Sequence, residues 1–327
     1  MKVICSHFLV FALLAIVGCE RTREDSTKKS VAFDPKATLE TSTQKVGLYL
    51  LDPGEQPHHM FRYKLVSDAD YRAVMKMNMN MTMKMNGQAA PTIKTPTMVT
   101  PLRIRSGTLD NGWLPLTGEY ESVDVADTDG VSAEVISALK SQLQFLTQIK
   151  MNWQMDARGS IQKPNYEVPE DMPAQAKEII DQTMQFFRNL LVVMPEEAIG
   201  NGATWLVVFD DMKIGGMTQT VRMLFVAREV MKDSLVADST VLSVVPDQKI
   251  VPDQVELAGV TMKVFAAKNF SSGEIEINTN HLFPNSKLGG GGTMRMEMSG
   301  GPFQGQTRLM ETNVEIKGEL RRADSGK

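Results

Sequence analysis

From Val74 to Asn86 the chain alternates without a break. Every odd position from Met75 to Met85 is methionine, and every even position from Lys76 to Asn86 is Lys, Asn or Thr. Successive side chains of a β-strand point to opposite faces, so the pattern predicts one strand with a thioether face and a wet face. A helix would scatter the methionines around its axis. At ~3.3 Å per residue the segment is roughly 40 Å long, well beyond an ordinary strand.

Alternation and turn residues predict further strands over 45–51, 60–66, 102–109, 119–126 and 149–156. In the second half they fall at 205–210, 218–229, 234–245, 259–268, 274–277 and 307–316. Asp52-Pro53-Gly54, Asn86-Gly87 and Asn111-Gly112 read as turns, and Trp113 as a core anchor behind the last. Gly289 to Gly292 reads as a mobile hinge or loop tip, followed by a shorter methionine alternation at Met294, Met296 and Met298.

Between the strand runs the period changes. Val131, Val135, Leu139, Leu143 and Leu146 predict an amphipathic helix to about residue 147. Ala176, Ile180, Thr183, Phe187, Leu190 and Met194 predict a second over 172–193, with Pro173 in its first turn. The expected fold class is therefore α+β: a large, curved, half-barrel-like antiparallel sheet with two long amphipathic helices packed on it. The β-rich domain would span 46–320, with a possible sub-division near 195, and 321–327 would be a disordered tail.

The N-terminus changes the picture. Lys2 precedes an apolar run from Phe8 to Val17, too short to span a membrane and of signal-peptide length. It ends in Ile16-Val17-Gly18-Cys19, which resembles the lipobox of bacterial lipoproteins. That resemblance implies a signal peptide over 1–18, cleavage between Gly18 and Cys19, and acylation of Cys19. Polar residues up to 45 would then form a flexible tether. Glu20 after the cysteine resembles the outer-membrane sorting pattern. The expected location is the bacterial cell envelope, lipid-anchored, at the outer membrane. Cys5 leaves with the signal, so the mature chain has neither an internal disulfide nor a cysteine-based metal site. The roughly 300 remaining residues are enough for a core of their own.

Three segments carry a wider resemblance: the methionine strand, Met194-Pro-Glu-Glu-Ala-Ile-Gly-Asn-Gly-Ala-Thr-Trp205, and Ser272-Gly-Glu-Ile-Glu-Ile-Asn-Thr-Asn-His-Leu-Phe-Pro-Asn-Ser286. Together they resemble a family of uncharacterised bacterial lipoproteins with a methionine-rich β domain of unknown function, over about residues 45–318. Thr204 stands where that pattern carries an acidic residue. The resemblance brings no catalytic residues with it.

Candidate chemistry is sparse. The net charge is −4 with signs interspersed, and no basic stripe with aromatics suggests nucleic acid. His58, His59 and His281 are separated from any nucleophile motif, so the chain reads as non-enzymatic and without a cofactor. Twenty-three methionines against 6% aromatics is the unusual balance. Thioethers suit Cu(I), which makes Met77, Met79 and Met81 an alternative metal set. The leading specific expectation is a hydrophobic ligand held on the face of Met75, Met77, Met79, Met81, Met83 and Met85, under Ile180, Phe187 and Leu190 of the second helix. The other is a scaffold for an envelope protein. The partners expected are the bilayer, through acylated Cys19, and a hydrophobic small molecule or an envelope protein.

Overall fold

The structure is a computed structural model, and it describes residues 38–41, 44–129, 131–167, 192–214, 217–244, 255–257, 260–300 and 305–323. The signal peptide, Cys19 and the helix expected over 172–193 with Ile180, Phe187 and Leu190 lie outside those residues, except for 192 and 193.

In chain order the first strands are β1 (Thr38–Thr41), β2 (Gln44–Asp52), β3 (Glu55–His59), β4 (Asp70–Met85), β5 (Gln88–Ala89), β6 (Ile93–Lys94), β7 (Thr97–Ser106), β8 (Leu114–Tyr120) and β9 (Asp124–Ala126). Helix α1 (Ala133–Leu143) follows, then a 3-10 turn over Gln144–Gln148. The remaining strands are β10 (Lys150–Met155), β11 (Ile161–Glu167), β12 (Ile199–Asn201), β13 (Thr204–Ile214), β14 (Met217–Met231), β15 (Ser234–Val244), β16 (Val255–Leu257), β17 (Val260–Asn278), β18 (Asn285–Gly300) and β19 (Arg308–Arg322).

All strand pairings are antiparallel. One meander runs β4–β7–β8–β10–β11. A second runs β13–β14–β15–β17–β18–β19. One pairing joins them: β19 lies along β4. At the other end of the second meander, β13 lies along β2, which carries β1 on its own N-terminal half. The two ends of the run, β1 and β11, approach within 8 Å between Cα atoms. The sheet therefore curls round on itself into a nearly closed barrel, as so many long twisted strands must. Bulges at Phe209/Met212, Ala227/Glu229 and Val264/Ala266 add twist where the strands are longest.

This corrects the α+β expectation. The fold is mostly β, and among the described residues the one α-helix is the 11-residue α1. The pattern over 131–147 is helical in kind, but the helix tightens into 3-10 geometry after Leu143, and the chain turns into β10 at Ile149. Residues 192–194, read as the end of the second helix, are irregular and buried. Residues 60–66 form no strand. The strands expected at 259–268 and 274–277 are one strand, β17. β19 continues to Arg322, which pairs with Ala73, so the chain is still in the sheet at 321 and 322.

Loops close one end of the barrel, the base. Phe61, Tyr63, Val192, Val193, Met194, Ile199, Leu282 and Phe283 are buried there in one cluster with the inward residues of the strands. Trp205 anchors it: it is fully buried, stacks on Phe225 at 5.1 Å, and donates from its indole N–H to the Val193 carbonyl at 3.2 Å. Arg158 donates to the Met194 carbonyl and pairs with Glu196, while Arg62 donates to the Pro195 and Glu196 carbonyls. The core indoles are Trp153 and Trp205; Trp113 is half-buried in the Asn-Gly hairpin turn instead.

Gly289 to Gly292 is not a loop tip. All four residues lie inside β18, paired with β17 on one side and β19 on the other. A Cβ at Gly291 would stand 2.3 Å from the Val314 carbonyl oxygen, whereas one at Gly289 meets no atom within 4 Å. Gly291 is thus a point of close strand approach, and Gly289 is not. Gly291→Ala should lower the urea midpoint by the equivalent of about 1–3 kcal/mol, because the clashing atom is backbone. Gly289→Ala should raise it by ~0.5–1 kcal/mol through lost chain entropy. Equal effects at the two positions would contradict the packing described.

Candidate functional site

Antiparallel partners share a face, so the registers assign every inward position. On β4 these are the odd residues from Tyr71 to Met85, and on β19 the even residues from Met310 to Leu320. On β18 they are the even residues from Ser286 to Met298. Burial follows that parity. Met79, Met81, Met296, Met298, Met310, Val314, Ile316 and Leu320 are buried, while Lys76, Thr82, Lys84, Glu311, Asn313, Glu315, Lys317 and Arg295 on the reverse side are exposed.

On β4, β18 and β19 the outward face is therefore charged and the inward face apolar. A membrane-spanning barrel has the opposite arrangement, with an apolar band towards lipid and a cost of ~2–4 kcal/mol for a Lys or Arg at the midplane. The outer side of these three strands suits water, whereas β13 and β14 carry Leu206, Val208, Leu224 and Val226 outward. Its interior is neutral: between the strand ends, β4, β18 and β19 carry no charged residue at an inward position. The buried phenols of the core, Tyr63 at the base and Tyr120 at the end of β8, are held above the usual tyrosine range by loss of hydration, so they stay uncharged.

The structure spreads the six methionines of β4 over four environments. Met75 packs against the main core. Met77 reaches both Met98 and the α1 residues Leu139 and Leu143. Met79 and Met81 pack with Val314 and Ile316 of β19, joined by half-buried Met83. Met85 sits at the far end in a row with Met310 and Met296. The later methionine alternation thus joins the same inward surface, two strands from the first. Of the alternative copper set, Met79 and Met81 are enclosed among aliphatic side chains and Met77 lies towards α1. Among the described residues no group of three or more His, Cys, Asp or Glu is placed to hold a metal ion.

Among the described residues, one row of this surface is not filled. Met77 of β4, Gly318 of β19 and Leu288 of β18 are direct neighbours on the inward face. All three are half-buried. A Cβ built on Gly318 meets no atom of the described residues within 4 Å. The wall there has a hollow, with a thioether on one side and a leucine on the other. Sequence reasoning placed Met77 on this face but missed Gly318, Leu288, Met310, Val314 and Ile316. The signal was present: Val314, Ile316, Gly318 and Leu320 alternate, so a glycine falls at an inward position where a side chain would be expected.

A second depression lies at the base. It is an open crevice of about 1040 Å³ bordered by Arg72, Glu274, Glu276, His281, Lys287 and Arg322, among others. Its charges answer each other. Arg322 pairs with Glu276 at 3.1 Å, Asn285 donates to the same carboxylate, and Arg228 pairs with Glu274. The crevice reads as a set of ties between β17, β18 and β19, not as a charged binding site.

No family model matches the chain, and no curated protein matches it. Among solved structures, the chain is similar to one titled "TodX monoaromatic hydrocarbon channel deltaS2 mutant", at 6% identity and a TM-score of 0.20, over 79% of this chain and 91% of that one. A likeness of that extent carries no argument about fold or function.

The hollow makes its own prediction. Gly318 has no unusual backbone angle and an open side, so Gly318→Ala should stabilise the protein by ~0.5–1 kcal/mol in chemical denaturation. A loss of stability would mean that the space is already filled.

Proposed function

We propose that this chain is a lipid-anchored protein of the bacterial envelope that holds a hydrophobic ligand inside its β-barrel, without catalysing a reaction. The observation that carries the reading is the unfilled, half-buried row Met77–Gly318–Leu288 on an otherwise apolar, uncharged inward face. A core that serves only to hold the fold packs to near-crystal density and leaves few voids. An apolar hollow with one side wet is what a ligand site looks like. Flexible thioethers around it can re-pack against ligands of differing shape. The charged outer side of β4, β18 and β19 suits water, and the acylated Cys19 with its polar tether would hold the barrel at the bilayer. Several acyl chains on one cysteine exceed the marginal hold of a single chain, since each buried methylene adds ~0.8 kcal/mol.

Two measurements test this. Protein extracted from native membranes in mild detergent should show, by native mass spectrometry, an added mass that organic solvent removes. The neutral dye N-phenyl-1-naphthylamine should brighten on binding the delipidated protein. Gly318→Leu, which fills the hollow, should weaken the dye by tenfold or more while the protein stays folded. A clean apo mass together with no dye binding would end the carrier reading. For the anchor, Cys19→Ser should move the protein from the membrane pellet to the soluble fraction. Retention of that variant in the membrane would argue against lipidation at Cys19.

A further inference from the structure

We infer that the ligand is a neutral acyl ester, and that Ser239 is the residue that receives its carbonyl. The inference rests on the carrier reading above and names the chemistry of the same site. The row that holds the hollow continues past Leu288. Leu288 faces Gly273 of β17, Gly273 faces Ser239 of β15, and Ser239 faces Phe225 of β14. From Met77 to Phe225 the inward row therefore reads Met, Gly, Leu, Gly, Ser, Phe. Two of its six positions have no side chain and a third has one of the smallest.

Ser239 is the exception in chemistry. It is 1% exposed, and its hydroxyl finds no hydrogen-bond partner among the described residues. Its flanking residues on the row are a glycine and a phenylalanine, which offer no side-chain acceptor. A buried hydroxyl without a partner is costly, and alanine would fit the same space. Gly273 cannot accept a side chain in exchange, because a Cβ there would stand 2.0 Å from the Lys287 carbonyl oxygen. Along the row, Leu288 and Gly273 stand between Gly318 and Ser239, and of these two only Leu288 carries a side chain.

The chemistry of the ligand follows from what this row offers. A hydroxyl donates one hydrogen bond, which suits a carbonyl oxygen. No inward residue of β4, β18 or β19 between the strand ends carries a positive charge, so a free carboxylate or a phosphate would be buried unpaired. A pure hydrocarbon would leave the hydroxyl unsatisfied. An uncharged acyl ester satisfies both conditions: its chain lies against Met77 and Leu288, and its carbonyl accepts from Ser239.

The experiment compares two lipids of equal chain length in displacing N-phenyl-1-naphthylamine from the full chain. One is a monoacylglycerol, which has an ester carbonyl; the other is the matching 1-alkylglycerol ether, which has none. Wild type should bind the ester about five- to tenfold more tightly, the worth of one net hydrogen bond. Ser239→Ala should erase that preference by weakening the ester alone. Its thermal midpoint should be unchanged or higher, and its unchanged ether affinity shows that the site is intact. Equal affinities in wild type, or equal losses for both lipids in Ser239→Ala, would overturn the role of Ser239 and leave the carrier reading standing. Failure of the dye and both lipids to bind wild type would overturn the carrier reading itself, and this inference with it.

Discussion

An antiparallel ladder makes each residue share a face with its partners on both neighbouring strands. In this protein that rule is applied across β4, β19 and β18 for more than ten residues without a register break between β19 and either partner. Everything on the inward side of the barrel depends on it. A slip of one residue would turn six methionines outward and bring Lys76, Lys84, Glu311 and Lys317 into the interior. The cost of burying those charges fixes the register more firmly than any turn does. The same alternation bears on the edges of the sheet. Lysines and glutamates stand on the outer face, and among the strands from β2 round to β10 each has a hydrogen-bonded neighbour on both sides, which leaves few edges for another chain to join.

The base and the hollow are packed differently. At the base, stacked Trp205 and Phe225, Tyr63 and the segment 192–194 pack against the inward residues of nearly every long strand. The irregular backbone there is satisfied by Arg62 and Arg158, whose guanidinium groups donate to carbonyls of residues 61, 194, 195 and 196. Such ties let a loop segment be buried without orphaned carbonyls. That end is closely packed, whereas the wall nearer α1 is loosely filled among the described residues. Met77 is the boundary residue, since it belongs both to the methionine cluster on β19 and to the cluster under α1.

Much of this was legible in the sequence, for a definite reason. Met75 to Met85 alternate so strictly that no other period fits, and the register confirms the face that they define. The two Asn-Gly pairs at 86–87 and 111–112 mark hairpin turns whose residues adopt the positive φ that such turns need. Glycine was the main source of error. Gly273 and Gly289 to Gly292 look like breakers in one dimension, yet they are strand interiors where neighbouring backbones approach too closely for a Cβ, or where the wall is thinned. Pro164 lies inside β11, an end strand of the run, where a missing N–H does not break a ladder. The helix over 131–147 was legible in its stripe, but its early end was not, because it is set by where the chain must enter β10.

Methionine and glycine, read together, explain more than either does alone. A row of leucines or valines would fill the wall with branched side chains in few rotamers, and a bound molecule would have to match that shape. Unbranched methionines beside missing side chains give a surface that is apolar but not fixed. That flexibility lowers the precision of packing, which the rigid base offsets. Rings such as Phe61, Tyr63, Trp153, Trp205, Phe225 and Phe283 belong instead to the main buried cluster, where a single packed arrangement is an advantage. Along the row from Phe225 to Met77 the side chains change from a stacked ring, through a lone hydroxyl and bare backbone, to a flexible thioether. Along that row the side chains lose fixed shape towards the hollow, the arrangement that the proposed carrier role would use.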